Sequence, residues 1–542
     1  MEAAAQTAYD AHDYTKAATL YQQLLQSNPV YTPFWQGLAD SEYAGGQFSA
    51  AIVAYKQMLS LGAQQPSYCA YDLARAYAQA GDTSNGMHWL QQSMDWGYPL
   101  LESARSDPAL GPLKNMPGFN DLLGIVDPSK MDRVTGWRYD LRFLARYIKT
   151  RSYHPFKTTT GDRFISRSLY SGSEFDQQVA RIYNQIPNLS NPQIEVAFMR
   201  LVASLGDGHS EVGLGPGPEY TNTIPLKFET FQEGIFITAA SPAYHKLLGA
   251  KLLGIDGHET ASVISALTPL LSRDNDNWIA SFLPQYFRYP ALLNALGIAK
   301  EPNAVSLQVR GRDGTPFSSD VGVTADAPYI WNQLPSPPGW ANLVDELGVT
   351  VPLYLQNNQS NWLTYDSERH VLYVQYNRVL DFPNLTLAQF AGQIENSLQA
   401  HEVDKLVIDM RWNNGGNTHL NQPILELLAR SPNVNRRGHL FVIIGPRTFS
   451  AALNSAAYFE RNLNAIFVGE PTGGRPNSAG EEWFFTLPYS KIYVSLSNLY
   501  WESGWPDDSR WAIAPELYAP RTFADYLAGR DLAMEDILQY QP

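Results

Sequence analysis

Four short apolar runs in the C-terminal part of the chain constrain its fold most: Leu372-Tyr373-Val374-Gln375-Tyr376, Lys405 to Met410, His439 to Ile444 and Ala465 to Val468. Each is strand-length and apolar on both faces, the pattern of a strand covered on both sides rather than half-exposed. Amphipathic segments at Leu387 to Ala400 and Asn421 to Ala429 separate them, with apolar residues at helical spacing. Strand and helix in alternation predict a layered α/β domain over about 340–542, with helices on the faces of a mostly parallel sheet.

The chain is 542 residues long, more than one hydrophobic core can organise, so several domains are expected. The first hundred residues carry an internal repeat. Asp13-Tyr14, Ala17 and Tyr21 return 34 positions later as Gln47-Phe48, Ala51 and Tyr55, and a third copy runs through Asp82-Thr83, Gly86 and Leu90. Each copy pairs two helix-length segments around a polar turn. The period and the small residues resemble tetratricopeptide repeats, predicting helical repeats over 1–125 and a concave surface for a protein partner. A helical part follows at 131–211, with apolar stripes such as Leu141, Leu144, Ala145 and Ile148. Strand patterns at Pro225 to Phe228, Gly234 to Thr238 and Lys251 to Gly257 then resemble a degenerate PDZ domain with an insertion, spanning 220–330. A Pro-rich stretch, Leu334 to Gly339, divides it from the last domain.

Charge and cysteine content exclude several classes. The formal charge is −14, and no cluster of Lys and Arg offers a groove for nucleic acid. Cys69 is the only cysteine, so neither an intramolecular disulfide nor a cysteine-based zinc site is available. No apolar run has transmembrane length, and neither a His-Glu-x-x-His segment nor a phosphate loop with its lysine calls for a cofactor. No cofactor and no metal are expected.

Two loops of the α/β region carry the chemistry. The first, Asp409 to Gly416, ends a strand with two adjacent glycines, whose free backbone lets amides point at a developing oxyanion. The second, Gly445 to Ser450, runs from a strand directly into a helix. A serine at a helix N-terminus sits where unpaired amides and the helix dipole favour negative charge, which suits a nucleophile, although an ordinary N-cap serine occupies the same position.

These loops, with Val468-Gly469-Glu470-Pro471-Thr472-Gly473-Gly474, resemble the catalytic core of the C-terminal-processing peptidases and of tricorn protease. In that family an Asp-Leu-Arg-x-Asn-x-Gly-Gly loop precedes a Ser-Ala turn and a Val-Gly-Glu-x-Thr strand end, and the three parts occur here in that order. The resemblance implies a multidomain α+β protein with a crotonase-like layered core, and a serine hydrolase cleaving a peptide or protein substrate through an acyl-enzyme. It further implies Ser450 as nucleophile, and Gly415 or Gly416 with the Ala451 amide as oxyanion hole. Where many members carry a lysine base, this chain has Arg475, which cannot deprotonate. Ser450 therefore needs another base, and the resemblance to the tricorn-like branch implies a histidine. His209, in Asp207-Gly208-His209-Ser210, matches the segment that supplies it there, and imidazole titrates in the range a general base needs. His419 is the runner-up. For the acid that orients the imidazole, Asp508 is chosen from its place seven residues before Pro515, with Glu502 and Asp507 as alternatives. Ser210 is expected to assist His209. Two other readings keep the same residues: an esterase acting on small acyl esters, and an inactive binding or scaffold relative. The resemblance favours an exported, periplasmic or extracellular, protein over a cytoplasmic one; the start Met1-Glu2-Ala3 has no signal-peptide pattern, as a chain with its leader removed would not.

Overall fold

The computed structural model describes residues 1–153, 155–156, 168–324, 338–356 and 360–541. Residues 334–337 of the Pro-rich stretch and the end of the PDZ-like segment at 325–330 lie outside the described residues. The chain forms two compact units, Met1–Ser152 with Thr486–Lys491, and Tyr153–Phe485 with Ile492–Pro542.

The first unit is helical. Helices Glu2–Asp10, Tyr14–Ser27, Thr32–Ala44, Phe48–Ser60, Pro66–Gln79 and Thr83–Asp95 pack in sequence as antiparallel neighbours joined by short turns. Asp13 and Asp82 cap their helices by accepting the amides of Lys16 and Asn85. The repeated small residues have a steric cause. Ala17 and Ala51 are wholly buried, and a Cβ added to Gly86 would stand 2.9 Å from Leu113. The helix Arg133–Arg151 belongs to this unit, not with 153–211 as its place in the sequence led us to expect. Its Asp140 is buried and accepts the amides of Tyr489 and Ser490 at 2.8 and 2.7 Å, and its Trp137 lies edge-on to the Tyr489 ring. A buried carboxylate that accepts two backbone donors fixes the partner segment as firmly as an apolar contact does.

The second unit is built on sheets. Its first strand, β1 (Glu211–Val212), follows the helix Asn191–Ala203. A seven-stranded sheet contains β2 (Leu226–Phe231), β3 (Gly234–Ala240), β4 (Lys251–Ile255), β5 (His258–Glu259), β6 (Ala304–Arg310), β7 (Pro316–Gly322) and β8 (Ala341–Asn342). Its strand pairings among the described residues are antiparallel. A six-stranded sheet follows, from β9 (Trp362–Asp366), β10 (Val371–Gln375), β11 (Lys405–Asp409), β12 (Leu440–Ile444), β13 (Ile466–Gly469) and, after the long strands β14 (Asn477–Thr486) and β15 (Tyr493–Glu502), β16 (Leu517–Tyr518). Its order is β16-β13-β12-β11-β10-β9, parallel except for β9.

The four apolar runs of the sequence fall on β10 to β13, and the structure shows why both faces are apolar. Leu372, Val374, Leu406, Ile408, Leu440 and Val442 pack under the helices Leu387–Ala400, Gln422–Ala429 and Ala451–Asn462. The alternate residues Val371, Tyr373, Val407, Phe441 and Ile443 meet Ala533 and Ile537 of the C-terminal helix on the other face. The third sheet, in the order β1-β15-β14, brings the His209 segment beside the C-terminal hairpin, with Glu211 opposite Ser495 and Val212 opposite Val494. No helix of the described residues is long and apolar enough to cross a membrane.

Candidate active site

The parallel strands β11 and β12 deliver their two following loops to the same edge of the sheet, where such folds place their ligands. After β11, the buried Asp409 receives the Tyr373 hydroxyl at 2.7 Å and the amide and Nε of Arg411 at 3.0 and 3.1 Å. Arg411 forks onto Asp531 through two 2.9 Å bonds, so one buried cation is matched by two carboxylates. Two of these charges left unpaired would cost several kcal/mol, so the loop base is stiff. Asn413, wholly buried, donates to the Tyr376 carbonyl and accepts the Gly415 amide at 3.0 Å.

Gly415 and Gly416 adopt φ of +107° and +142°. A Cβ on Gly415 would sit 2.6 Å from the Ser450 Cβ, and one on Gly416 would sit 2.2 Å from the Val379 carbonyl oxygen. Both positions thus demand glycine, for conformation and for space.

After β12, Thr448 ties the second loop down, its hydroxyl donating to the Met410 carbonyl at 3.0 Å and accepting the Gly445 amide at 3.0 Å. Ser450 then stands at the N-cap of the helix Ala451–Asn462 with φ 53° and ψ −131°, and its side chain caps no amide. An L-residue held there stores about 1–3 kcal/mol of strain, a cost common at reactive positions. Ordinary capping does not explain it, since a capping serine has extended backbone and accepts an amide. Among the described residues, the amides of Gly416 and Ala451 donate no hydrogen bond, whereas that of Gly415 is taken by Asn413.

His209 is 6 % exposed. Its loop is held from three sides. The Asp207 carboxylate accepts the amides of His209 and Ser210 at 3.0 and 2.7 Å and the Ser497 hydroxyl at 2.6 Å. Asp274 accepts the Gly208 amide at 2.9 Å, and Ser495 of β15 donates to the His209 carbonyl at 2.8 Å. The imidazole stacks on Phe449, which stacks in turn on Trp278, with centroid separations of 4.5 and 4.4 Å. Its Nδ1 is buried with no hydrogen-bond partner among the described residues, an arrangement that costs about 1–3 kcal/mol. Ser450 and His209 share the walls of two adjoining cavities of about 230 and 350 Å³. No hydrogen bond joins their side chains.

The expected acid is not brought to this place. Asp508 is bonded by Arg510 through Nε and Nη2 at 3.0 and 2.7 Å, Arg510 forks onto Glu460 as well, and Asp508 lines neither cavity. Burial opposes its charge, and the bonds from Arg510 outweigh burial, holding the carboxyl below its usual range. Glu502 ends β15 in an exposed position, and Asp507 is exposed too; neither lines the cavities. Ser210 is wholly buried and accepts the Ser497 amide at 3.0 Å, which joins the loop to β15 and away from the cavity walls. His419 lines the larger cavity together with Ser450 and faces the Trp501 ring. Arg475, at the position of the family's lysine, donates to the Asp274 carbonyl at 2.7 Å and lies over Trp511.

Sequence reasoning passed over three glutamates. Glu211 and Glu482 line the smaller cavity, and Glu481 and Glu482 the larger. The Glu211 carboxyl is pushed above its usual range by lost hydration first and the Glu482 charge second, with His209 pulling the other way, yet by accessible surface Glu211, Glu481 and Glu482 are all exposed, which weakens that push. Glu211 had a local signal, standing two residues after His209 in the chain. Glu482 had none, because only the pairing of β14 with β15 brings it there.

No family model matches the sequence, and no curated protein matches it. Solved structures do. Mature CPAF complexed with lactacystin is 14% identical, over 74% of this chain and 97% of that one, with a TM-score of 0.49. The photosystem II D1 C-terminal processing protease is 14% identical over 74% and 99% of the two chains, TM-score 0.34. Tricorn protease is 12% identical over 75% of this chain and 36% of its own, TM-score 0.33. The chain is thus similar to a C-terminal processing protease and to tricorn protease.

Proposed function

We propose that this chain is a serine peptidase in which Ser450 is the nucleophile and His209 the general base. The observation that carries the reading is the strained Ser450 between two unbonded amides, those of Gly416 and Ala451, in a cavity it shares with a buried imidazole. Ser450 Oγ attacks the substrate carbonyl as His209 takes its proton. The two amides receive the oxyanion, and the imidazolium returns the proton to the leaving amine. Water, activated by the same imidazole, then releases the acyl group. With Asp508 engaged by Arg510, the reading rests on a Ser–His pair, aided by the helix N-terminus behind the serine.

The remaining parts suit a peptidase. We read the N-terminal helical pairs as tetratricopeptide-like repeats that offer a partner surface, the antiparallel sheet as PDZ-like and able to hold a substrate tail by strand addition, and the parallel sheet as crotonase-like.

The test is labelling with a serine-directed fluorophosphonate, beside cleavage of a peptide library by wild type and Ser450→Ala, with folding followed by circular dichroism. Labelling and cleavage are expected in the wild type alone. Folded wild type that takes up no label, or equal labelling of the variant, defeats the proposal.

A further inference from the structure

A wall of rings leads away from Ser450, beginning at the residue before it. Phe449 stacks on Trp278 with centroids 4.4 Å apart, Trp278 stacks on Phe282 at 5.5 Å, and Phe282 stands edge-on to Tyr286 at 5.9 Å. Trp278 and Phe282 lie four positions apart on the helix Asn277–Phe282 and so share a face, which Tyr286 continues in the 3-10 turn Leu283–Arg288. All four rings line the smaller cavity beside Ser450, and Leu270 and Leu271 complete its apolar side. Five of these six residues are at least nine-tenths buried, with Tyr286 half-buried at the edge of the wall.

The two cavities differ in chemistry and meet at the serine. His209, Gly416, Ser450 and Glu482 line both, so a carbonyl attacked by Ser450 lies at their junction and the groups on its two sides enter different spaces. The larger space is walled mainly by polar residues, among them Asn417, Thr418, Asn454 and Ser478, with Phe484 and Trp501 as its aromatics. The smaller measures about 230 Å³, and an apolar cavity of about 150 Å³ already admits a benzene ring. Water against rings and leucines finds few hydrogen-bond partners there, so an apolar side chain gains by displacing it. An aromatic one gains further through offset or edge contacts with the rings. Because the rings already pack on one another, little freedom is lost in receiving it.

We infer that the smaller cavity is a specificity pocket for a large apolar side chain, aromatic above all, on one side of the scissile bond, and that the larger cavity leaves the other side less restricted. The inference rests on the peptidase reading of Ser450 and names the substrate class of that site.

The experiment measures kcat/KM on fluorogenic peptides in which phenylalanine, leucine, alanine or glutamate is placed in turn on either side of the scissile bond. On one side only, phenylalanine is expected to exceed alanine by about a hundredfold, with leucine between them and glutamate poorest. Phe282→Ala takes a ring from the middle of the wall, and Tyr286→Ala takes one from its half-buried edge, where folding is less at stake. Each should lower the phenylalanine-to-alanine ratio, Phe282→Ala by about tenfold. Wild type that uses alanine as well as phenylalanine, or prefers phenylalanine equally on both sides, overturns the inference. So do folded variants that lose activity alike on all peptides with the ratio kept, since the rings would then only brace the site. The same peptides are titrated against Ser450→Ala by fluorescence anisotropy, which needs no turnover. Tighter binding of the phenylalanine peptide supports the inference even if cleavage fails and the peptidase reading falls with it. No binding, or equal binding of the phenylalanine and alanine peptides, overturns it while leaving Ser450 labelling to judge the chemistry.

Discussion

The imidazole of His209 lies on the ring of Phe449, the residue before Ser450, with centroids 4.5 Å apart and planes 25° from parallel. A residue adjacent to the proposed nucleophile therefore sets the height of the proposed base above it. Phe449 is buried between His209 and Trp278, so its own position is fixed by the second stack. Phe449→Leu keeps the site apolar and removes the flat support. We expect kcat to fall about ten- to a hundredfold, as misplaced catalytic groups do, with a smaller change in KM. Steady-state kinetics on one good peptide checks this; an unchanged kcat would show that the stack plays no part.

The backbone of Ser450 sets stability against reactivity. Ser450→Gly removes the hydroxyl and lets the φ of 53° relax at a residue that tolerates it. The variant should be inactive and yet no less stable than wild type, with a gain of up to about 1 kcal/mol, since the strain is relieved while the freer unfolded chain takes part of it back. Urea unfolding followed by fluorescence measures the change. A clear loss of stability would mean that Ser450 is not strained in the way its angles suggest.

Asp207 holds the His209 loop through three bonds, two of them to amides that an asparagine oxygen could also accept. Asp207→Ala should lower kcat by about a hundredfold or more while the protein stays folded, and Asp207→Asn should recover much of the loss. If alanine and asparagine are equally harmful, the charge rather than the geometry of Asp207 is what matters.

The carboxylate of Glu229 predicts an acid limit to stability. Burial disfavours its charge, but Lys227 at 3.0 Å and Arg521 at 2.9 Å outweigh burial and hold it down to about 2. A carboxyl depressed in the folded state contributes stability above its unfolded value, near 4.5, and loses it as the pH falls from there through about 2. Urea midpoints measured across that range should fall more steeply for wild type than for Glu229→Gln, although the variant is weaker at neutral pH because it leaves Lys227 and Arg521 short of a counter-charge. Parallel curves would remove Glu229 from the account.

Much of the fold could be read along the chain. The runs at Leu372, Lys405, His439 and Ala465 announce β10 to β13 because a strand buried on both faces must be apolar at every position. Helices show in the same way, through a 3.6-residue period that each segment carries by itself. The N-terminal repeat shows as Ala17, Ala51 and Gly86 because close helix packing leaves no room for larger side chains. The two loops proposed to carry the chemistry were visible too, since a glycine pair and a serine before a helix are local requirements of backbone geometry.

The order of the chain alone determined these elements, the need for glycine at Gly415 and Gly416, and the exclusion of Arg475 as a base, all of which follow from the chemistry of one residue and its neighbours. Tertiary structure decided which charges meet. Arg411 went to Asp531, Arg510 to Glu460 as well as to its neighbour Asp508, Ser210 to Ser497, and Glu482 to the cavity wall that Glu211 also lines. The physical reason is that secondary structure is specified over a few residues, whereas a charge is matched by whatever the packed sheets bring within about 4 Å of it, here across β1 and β15, and no spacing in the sequence records that distance.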